Sequence, residues 1–222
     1  MTWKVLFDRA LEVIDAAAIP AGEWTFGGGS ALAFRFNHRV SRDVDIFLTD
    51  AQLLLLATPR LNTGIAERVS DYEEAASSLK LFFPEGQVDF IVAPHLTKDY
   101  FTEEVVCGRR VRVETPVEIV IKKLFYRAEF LKVRDIVDVA TVFKHQPEVL
   151  LGVASGLLGS RLRSIEWKWS RLEPKYRTEV EELEVQDADL KENTPVLFAT
   201  FLERLAARIR SSPPPQHRSY SQ

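Results

Sequence analysis

The sequence predicts an α+β (mixed α/β) protein: a small mixed β-sheet with flanking helices over residues 1–115, then a helical region over 116–210. Two patterns carry this expectation. In the first half, short segments such as DVDIFL (43–48) alternate apolar and polar side chains, and a period of two marks a half-buried strand. In the second half, EIVIKKLFYRAEF and RDIVDVATVF repeat their apolar residues at helical spacing, which marks helices with one buried face.

The elements follow in order. Val5, Leu6, Leu11, Val13, Ile14 and Ala17 give an amphipathic helix over 3–18, stopped by Pro20 and Gly22. A short strand, WTF at 24–26, runs into Gly27, Gly28, Gly29 and Ser30, and a helix over 30–37 starts at that turn. In the strand DVDIFL, Asp43 and Asp45 face one way while Val44, Ile46 and Leu48 face the other. Asp50 is placed to cap the helix AQLLLLA. SLKLFF and VDFIVA read as two strands joined at Pro84–Gly86, and EEVV and RRVRVE as a hairpin turning at Cys107–Gly108. Thr115, Pro116 and Glu118 supply an N-cap, a proline at the first helical position and a capping-box partner, so a boundary falls near residue 115. The tail SSPPPQHRSYSQ (211–222) is polar and proline-rich, a composition expected to be disordered.

Composition removes several classes. The chain has 222 residues, 46% apolar and 27% charged, as in an ordinary globular protein. No run approaches the roughly 18 apolar residues of a membrane span. Lys4, Asp8, Arg9, Glu12 and Asp15 interrupt the start, so no signal peptide is expected and the reading is a cytoplasmic protein. A single cysteine, Cys107, excludes an internal disulfide and a thiolate metal cage. The net charge of −3 comes from 29 basic and 32 acidic residues. Residues 1–115 hold 12 basic against 17 acidic, and 116–222 hold 17 against 15. Bulk attraction to nucleic acid is therefore not expected, and the acidic first half suits a cation site.

Three features of that half bear on chemistry. Gly27-Gly28-Gly29-Ser30 lies between a strand and a helix; glycine lets a ligand approach the backbone, and a helix start offers free N–H groups to phosphate. Asp43 and Asp45 sit on one strand face, where two carboxylates repel each other unless a cation lies between them, and magnesium takes such oxygen ligands. Asp89 is flanked by Val88 and Phe90, and an acid in an apolar strand needs a partner or a metal. Each feature alone has a plain alternative: a tight turn, a solvated strand face, and a salt bridge from Asp89 to Lys80 or Arg109. In the helical half, Lys123 and Arg127 stand four apart, and Arg134 returns to the same face if the helix continues, as does Asp138 four residues after Arg134. Such a basic row suits phosphates; the alternative is a solvated face with ion pairs. Lys122 is adjacent, and Lys123 is preferred on its spacing to Arg134, Asp135 and Asp138.

Gly28-Gly29-Ser30, then Asp43-x-Asp45, then an apolar-Asp-apolar strand at Asp89 together resemble the signature of the polymerase-β-like nucleotidyltransferase superfamily. RVSRDVDIF narrows this. Arg39, Ser41, Asp43 and Asp45 resemble the R-x-S-x-D-apolar-D stretch of the AbiEii/AbiGii toxin-type nucleotidyltransferases, and Glu118, Lys123, Arg127, Arg134, Asp135 and Asp138 resemble that family's helical motif. The resemblance covers residues 23–50 and 85–143; no motif is matched beyond about residue 147. It implies a catalytic core over 1–115 and a helical region contributing basic site residues. It implies two magnesium ions on Asp43 and Asp45, with Asp89 completing one site and helping to deprotonate the acceptor hydroxyl. It implies NTP binding by Gly28, Gly29, Ser30, Arg39, Ser41, Lys123, Arg127, Arg134 and Asp138, with Lys123 also counted as catalytic.

The implied activity is transfer of a nucleoside monophosphate from an NTP to a hydroxyl of RNA, first the 3′ end of tRNA, or of a protein. A cognate antitoxin is the implied partner. Two alternatives stand beside it: a small-molecule acceptor, as in aminoglycoside-type enzymes, and a non-catalytic binding module. Arg35, Arg39, Arg42, Arg109, Arg110 and Arg112 are placed to build a basic groove for tRNA. His38, His95, His145 and His217 show no metal spacing and are expected at surface or loop positions. Trp167 and Trp169 are expected to pack within the helical half, with base stacking as the alternative.

Overall fold

The computed structural model describes residues 2–211. The chain runs α1 (Thr2–Ala16), β1 (Trp24–Gly27), α2 (Gly28–Phe36), β2 (Asp43–Leu48), α3 (Gln52–Ala57), α4 (Thr63–Ala66), β3 (Asp71–Ala75), β4 (Ser78–Phe83), β5 (Gly86–Val92), β6 (Phe101–Val106) and β7 (Arg109–Glu114). Helices α5 (Pro116–Tyr126), α6 (Val133–His145), α7 (Pro147–Leu157), α8 (Leu162–Leu172), α9 (Tyr176–Glu179) and α10 (Ala188–Ser211) follow. The seven strands form one mixed sheet in the order β3-β4-β5-β2-β1-β7-β6. β2 pairs with β5 and β1 with β7 in parallel; the other pairs are antiparallel.

The core lies under one sheet face and continues across residue 115. Phe7 and Phe26 meet with ring centroids 4.6 Å apart, and Trp3 stacks on Phe26 at 5.7 Å. Val44, Ile46, Val88 and Phe90 are fully buried. They join Val120 and Leu124 of α5, Ile136 and Val139 of α6, and Phe198 and Phe201 of α10 in one apolar cluster. The other sheet face, toward α5, carries Asp43, Asp45 and Asp89 beside Phe47 and Ile91.

Local sequence explains most element ends. In the turn before β7, Cys107 has φ 48° and Gly108 φ 80°, the paired left-handed conformation of a tight hairpin. Asp50 accepts from the Gln52 amide at 2.8 Å and so ties the start of α3. At α5 the Thr115 hydroxyl accepts from the Glu118 amide at 3.3 Å, and Pro116 occupies the first turn. The expected capping box is only half made. The Glu118 carboxylate accepts instead from the Leu96 and Thr97 amides at 2.9 and 2.8 Å, while the Thr115 amide donates to the Tyr100 carbonyl. A tertiary loop has outcompeted the local reciprocal bond.

Several expectations shift. α2 starts at Gly28 rather than at residue 30, so the glycines are its first turn. β3, DYEEA, was not anticipated: it is an edge strand exposed at every residue, with no apolar alternation to mark it. α10 reaches Ser211, and the expected disordered tail otherwise lies outside the described residues. Trp169 packs against Phe198 at 5.1 Å, but Trp167 stays exposed beneath the Arg171 guanidinium. His38, expected near the surface, is buried. Among the described residues no helix is long and apolar enough to cross a membrane.

Candidate active site

Strand periodicity builds the acidic wall. Alternation along β2 buries Val44, Ile46 and Leu48 and turns Asp43, Asp45 and Phe47 to the α5 side. β5 lies beside it in parallel, with Asp45 level with Asp89 and Asp43 with Gln87. Neighbouring strands are about 4.8 Å apart, so three carboxylates share one small area of sheet. Gln87 donates to Asp89 Oδ2 at 2.9 Å. Asp89 Oδ1 is buried and has no hydrogen-bond partner. The alternative salt bridges of Asp89 do not form: Lys80 pairs with Glu73 and Arg109 with Asp15.

The glycine turn sits against this wall. Gly28 has φ 66°, and a Cβ there would overlap the Asp45 carboxylate. At Gly29 a Cβ would come 2.5 Å from Arg39 Nη2. Only glycine gives both the left-handed backbone and the close approach. Ser30 is buried, and its hydroxyl donates to the Asp43 carbonyl, tying the helix start to β2.

A second ionic cluster stands behind. Arg39 clasps Asp138 with two bonds, Nε to Oδ1 at 2.7 Å and Nη2 to Oδ2 at 2.9 Å. His38 Nε2 lies 2.7 Å from Asp138 Oδ1. Lys123 Nζ bridges Asp135 at 2.7 Å and Asp138 at 2.8 Å. Asp135 Oδ2 also accepts the Lys132 amide at 3.0 Å, at the start of α6. Lys122 points the other way, to Glu114 at 2.6 Å and over the Phe47 ring. Lys123 is therefore the lysine of the acidic site.

The basic row arises by a route different from the expected one. The helix does not continue: α5 ends at Tyr126 and α6 begins at Val133. Arg127 caps α5 and lies 3.7 Å from Asp135, while Arg134 reaches back to Asp43 at 3.7 Å from α6. Among the described residues Arg134 pairs with Asp43 and not with Asp138, which belongs to Arg39, His38 and Lys123. Of the six arginines suggested for a tRNA groove, Arg110 is exposed and the other five are engaged within the chain. Arg39 is buried, Arg35 binds Glu104, Arg42 binds Glu184, Arg109 binds Asp15, and Arg112 donates to the Gly22 carbonyl.

The two clusters titrate in opposite directions. Burial pushes the Asp45 carboxyl up, against the pull of Lys123 and Arg127. Burial and the neighbouring Asp45 push Asp89 up to about 6. In the rear cluster burial also acts to raise Asp138, but Arg39 and Lys123 outweigh it and hold that carboxyl well below its usual range. Burial acts to lower Lys123, yet Asp135 and Asp138 raise it.

Asp43, Asp45 and Asp89 open into one pocket of about 310 Å³, walled also by Gly29, Arg39, Ser41, Lys123, Arg127 and Arg134. Gly28 borders an adjoining pocket, and Ser30 and Asp138 stand behind the wall. Glu182, Leu183 and Glu184 close the far side. Their segment is held by backbone bonds from Val40 to Glu184 and from Gln186 to His38. Neither this wall nor His38 carried a local sequence signal: the wall depends on backbone contacts between residues about 145 positions apart, and the His38 side chain on Asp138, 100 positions away. Among the described residues no three Asp, Glu, His or Cys side chains are grouped so that they could hold a metal ion as they stand.

The model of the family described as nucleotidyl transferase AbiEii toxin, type IV toxin–antitoxin system, matches residues 9–217. The chain belongs to this AbiEii family. It is a nucleotidyltransferase, and the family match takes in the helices beyond residue 147 that no motif had reached. JHP933 from Helicobacter pylori is similar in fold, with TM-score 0.53, 16% identity and 94% of each chain covered. A putative nucleotidyltransferase from H. pylori gives TM-score 0.52 at 18% identity over 94% of this chain and 96% of its own. MenT4, a nucleotidyltransferase toxin from Mycobacterium tuberculosis H37Rv, gives 0.48 at 14% identity over 84% and 80%. No curated protein matches the chain.

Proposed function

We propose that this AbiEii-family enzyme transfers a nucleoside monophosphate from an NTP to a hydroxyl of RNA, first the 3′ end of tRNA, with magnesium. The observation that carries the reading is the acidic wall: three carboxylates on one pocket, only Asp43 in an ion pair, with Arg134 at 3.7 Å, and Asp89 with an orphaned buried oxygen. That donor set is all oxygen, which suits a hard divalent ion. Asp43 and Asp45 would hold two magnesium ions and Asp89 would complete one of the sites. Bound there, the ions would supply charge stabilisation for an in-line displacement at phosphorus.

The remaining roles fall to the chain itself. The first turn of α2, at Gly28 and Gly29, and the cations Lys123, Arg127 and Arg134 hold the triphosphate. Asp135 and Asp138 hold Lys123 from behind, Arg39 holds Asp138, and Ser41 lines the pocket beside Gly29. Asp89 accepts the proton of the acceptor hydroxyl. The acceptor oxygen bonds to the α-phosphorus, the bond from that phosphorus to the β-phosphate oxygen breaks, and pyrophosphate leaves. In this reading residues 1–115 form the catalytic core and 116–210 supply the cations. The family's toxin–antitoxin assignment supports an antitoxin partner and growth arrest through the modified RNA.

A second reading, a small-molecule acceptor, is favoured by the adjoining pocket. It holds about 360 Å³ beside Asp45 and is walled by Phe47, Ile91, Pro94, Ile119 and Tyr126. Incubation with each of four α-³²P-labelled NTPs and magnesium, with total tRNA and total cell protein, decides between acceptors. Label in tRNA, lost in Asp43→Ala/Asp45→Ala, is the expected result. Label in neither pool contradicts the RNA reading and leaves the small-molecule one.

A further inference from the structure

The aromatic side chains that stay outside the core are not scattered. Of four exposed aromatics among the described residues, Tyr72 stands alone on the edge strand, while Tyr126, Phe130 and Trp167 lie on α5, on the loop after it and on α8. Phe130 is 74% exposed and Trp167 51%. The loop and α8 are joined. Ser164 donates to Glu129 at 3.2 Å, and the Arg161 guanidinium lies over Phe125 at 5.0 Å. Trp167 follows Ser164 by one helical turn.

Cations interleave with these rings. Arg163, Trp167 and Arg171 share one exposed helix face at four-residue spacing. Arg171 lies 4.5 Å from the Trp167 ring and holds it outward. Over residues 126–134 and 161–171, five exposed basic side chains, Arg127, Lys132, Arg161, Arg163 and Arg171, face two exposed acids, Glu129 and Glu166. The whole chain carries −3, so this concentration is local. Arg127 is also a wall residue of the acidic pocket, so the surface ends at the site.

We propose that this surface, from Trp167 across Phe130 to Arg127, docks the single-stranded end of an RNA acceptor and leads its terminal hydroxyl to the pocket. It rests on the nucleotidyl-transfer reading above. Rings stack on bases without regard to sequence, and arginines between them meet the phosphates, which is how single strands are held. An apolar protein-binding patch would not need arginines at every turn, and a duplex-binding surface would not need exposed rings.

The test is fluorescence anisotropy of a labelled ten-nucleotide single-stranded RNA and of the same sequence as a duplex. Wild type is compared with Trp167→Ala, Trp167→Phe, Phe130→Ala and Arg163→Glu/Arg171→Glu. Trp167→Ala and Phe130→Ala should each weaken single-strand binding by at least about fivefold. Trp167→Phe should restore most of it, and the double charge reversal should weaken it further and flatten its salt dependence. ATP affinity, measured by calorimetry in the same variants, should not change. Single-strand binding that is absent, equal to duplex binding, or unmoved by these substitutions overturns the proposal. If the variants lose affinity for the protein of a neighbouring gene but keep RNA binding, the surface is a protein interface and the proposal also falls. RNA binding that behaves as expected in an enzyme that transfers no label keeps the docking surface and overturns the transfer reading instead.

Discussion

A fully buried group of acids and a half-buried one lie on either side of one pocket wall, and they behave oppositely. Asp135 and Asp138 are fully buried yet held ionised, because Arg39 and Lys123 meet them at 2.7 to 2.9 Å. Asp45 and Asp89 are pushed toward protonation, because burial and mutual repulsion outweigh the more distant cations. The rear cluster is complete within the chain and serves as scaffold. The front cluster is complete only when something positive enters it. The same residue type is thus structural or functional according to whether its counter-charge is covalently part of the protein.

The contrast can be broken most strongly from the rear. Asp138→Asn leaves Arg39 and Lys123 buried without their shared partner, and breaking such a pair costs about 3–5 kcal/mol. Urea unfolding should show that loss, with or without magnesium. A smaller effect is expected at the glycine turn. Gly28→Ala forces a side chain into a left-handed backbone and onto the Asp45 carboxylate, costing about 1–2 kcal/mol. Its transfer activity should fall far more than its melting temperature.

At the front the sign reverses. The Asp89 carboxyl, at about 6 when folded against an ordinary 3.8, binds its proton more tightly folded than unfolded. Stability therefore falls as pH rises from about 4 to about 6, and the ionised group is a net cost at neutral pH. Asp89→Asn removes that cost and keeps an oxygen for Gln87. The metal-free variant should melt about 2–4 °C higher at pH 7.5 and transfer no label. A lower melting temperature would mean that Asp89 is a structural acid.

Glu114 provides a second titration, away from the acidic wall. Burial, opposed by Lys122, pushes its carboxyl up to about 7 from 4.5. It too binds its proton more tightly when folded, so its contribution to stability declines between about pH 4.5 and pH 7 and is level above. Against wild type, Glu114→Gln should therefore gain relative stability across pH 5–7 and hold it at pH 8, as read by thermal melts.

The front cluster was legible in the strand pattern; of the rear one, Arg39, Lys123, Asp135 and Asp138 were named by the family resemblance, but their pairing was not legible. Asp43, Asp45 and Asp89 each sit in a strand whose alternation shows which way they face, and the glycines mark the turn that must approach them. The strands, the hairpin turn at Cys107–Gly108 and the start of α5 are equally local. The pairing of Arg39 and His38 with Asp138 joins residues about 100 apart in the chain, and nothing in either segment names the other. The break between Tyr126 and Val133 also hid in plain sight, since RAEFLKVR continues helix-forming residues while the backbone turns to bring Arg134 onto Asp43. β3 escaped because an edge strand exposed on both faces has no alternation to read.

The most direct measurement is a calorimetric titration of magnesium at pH 7.5 into the nucleotide-free protein, comparing wild type with Asp43→Asn/Asp45→Asn and with Glu118→Gln as a buried-acid control. Magnesium binding in wild type and the control, abolished in the double variant, is the predicted result. Magnesium binding that survives in the double variant would contradict the assignment of the front carboxylates as the cation site.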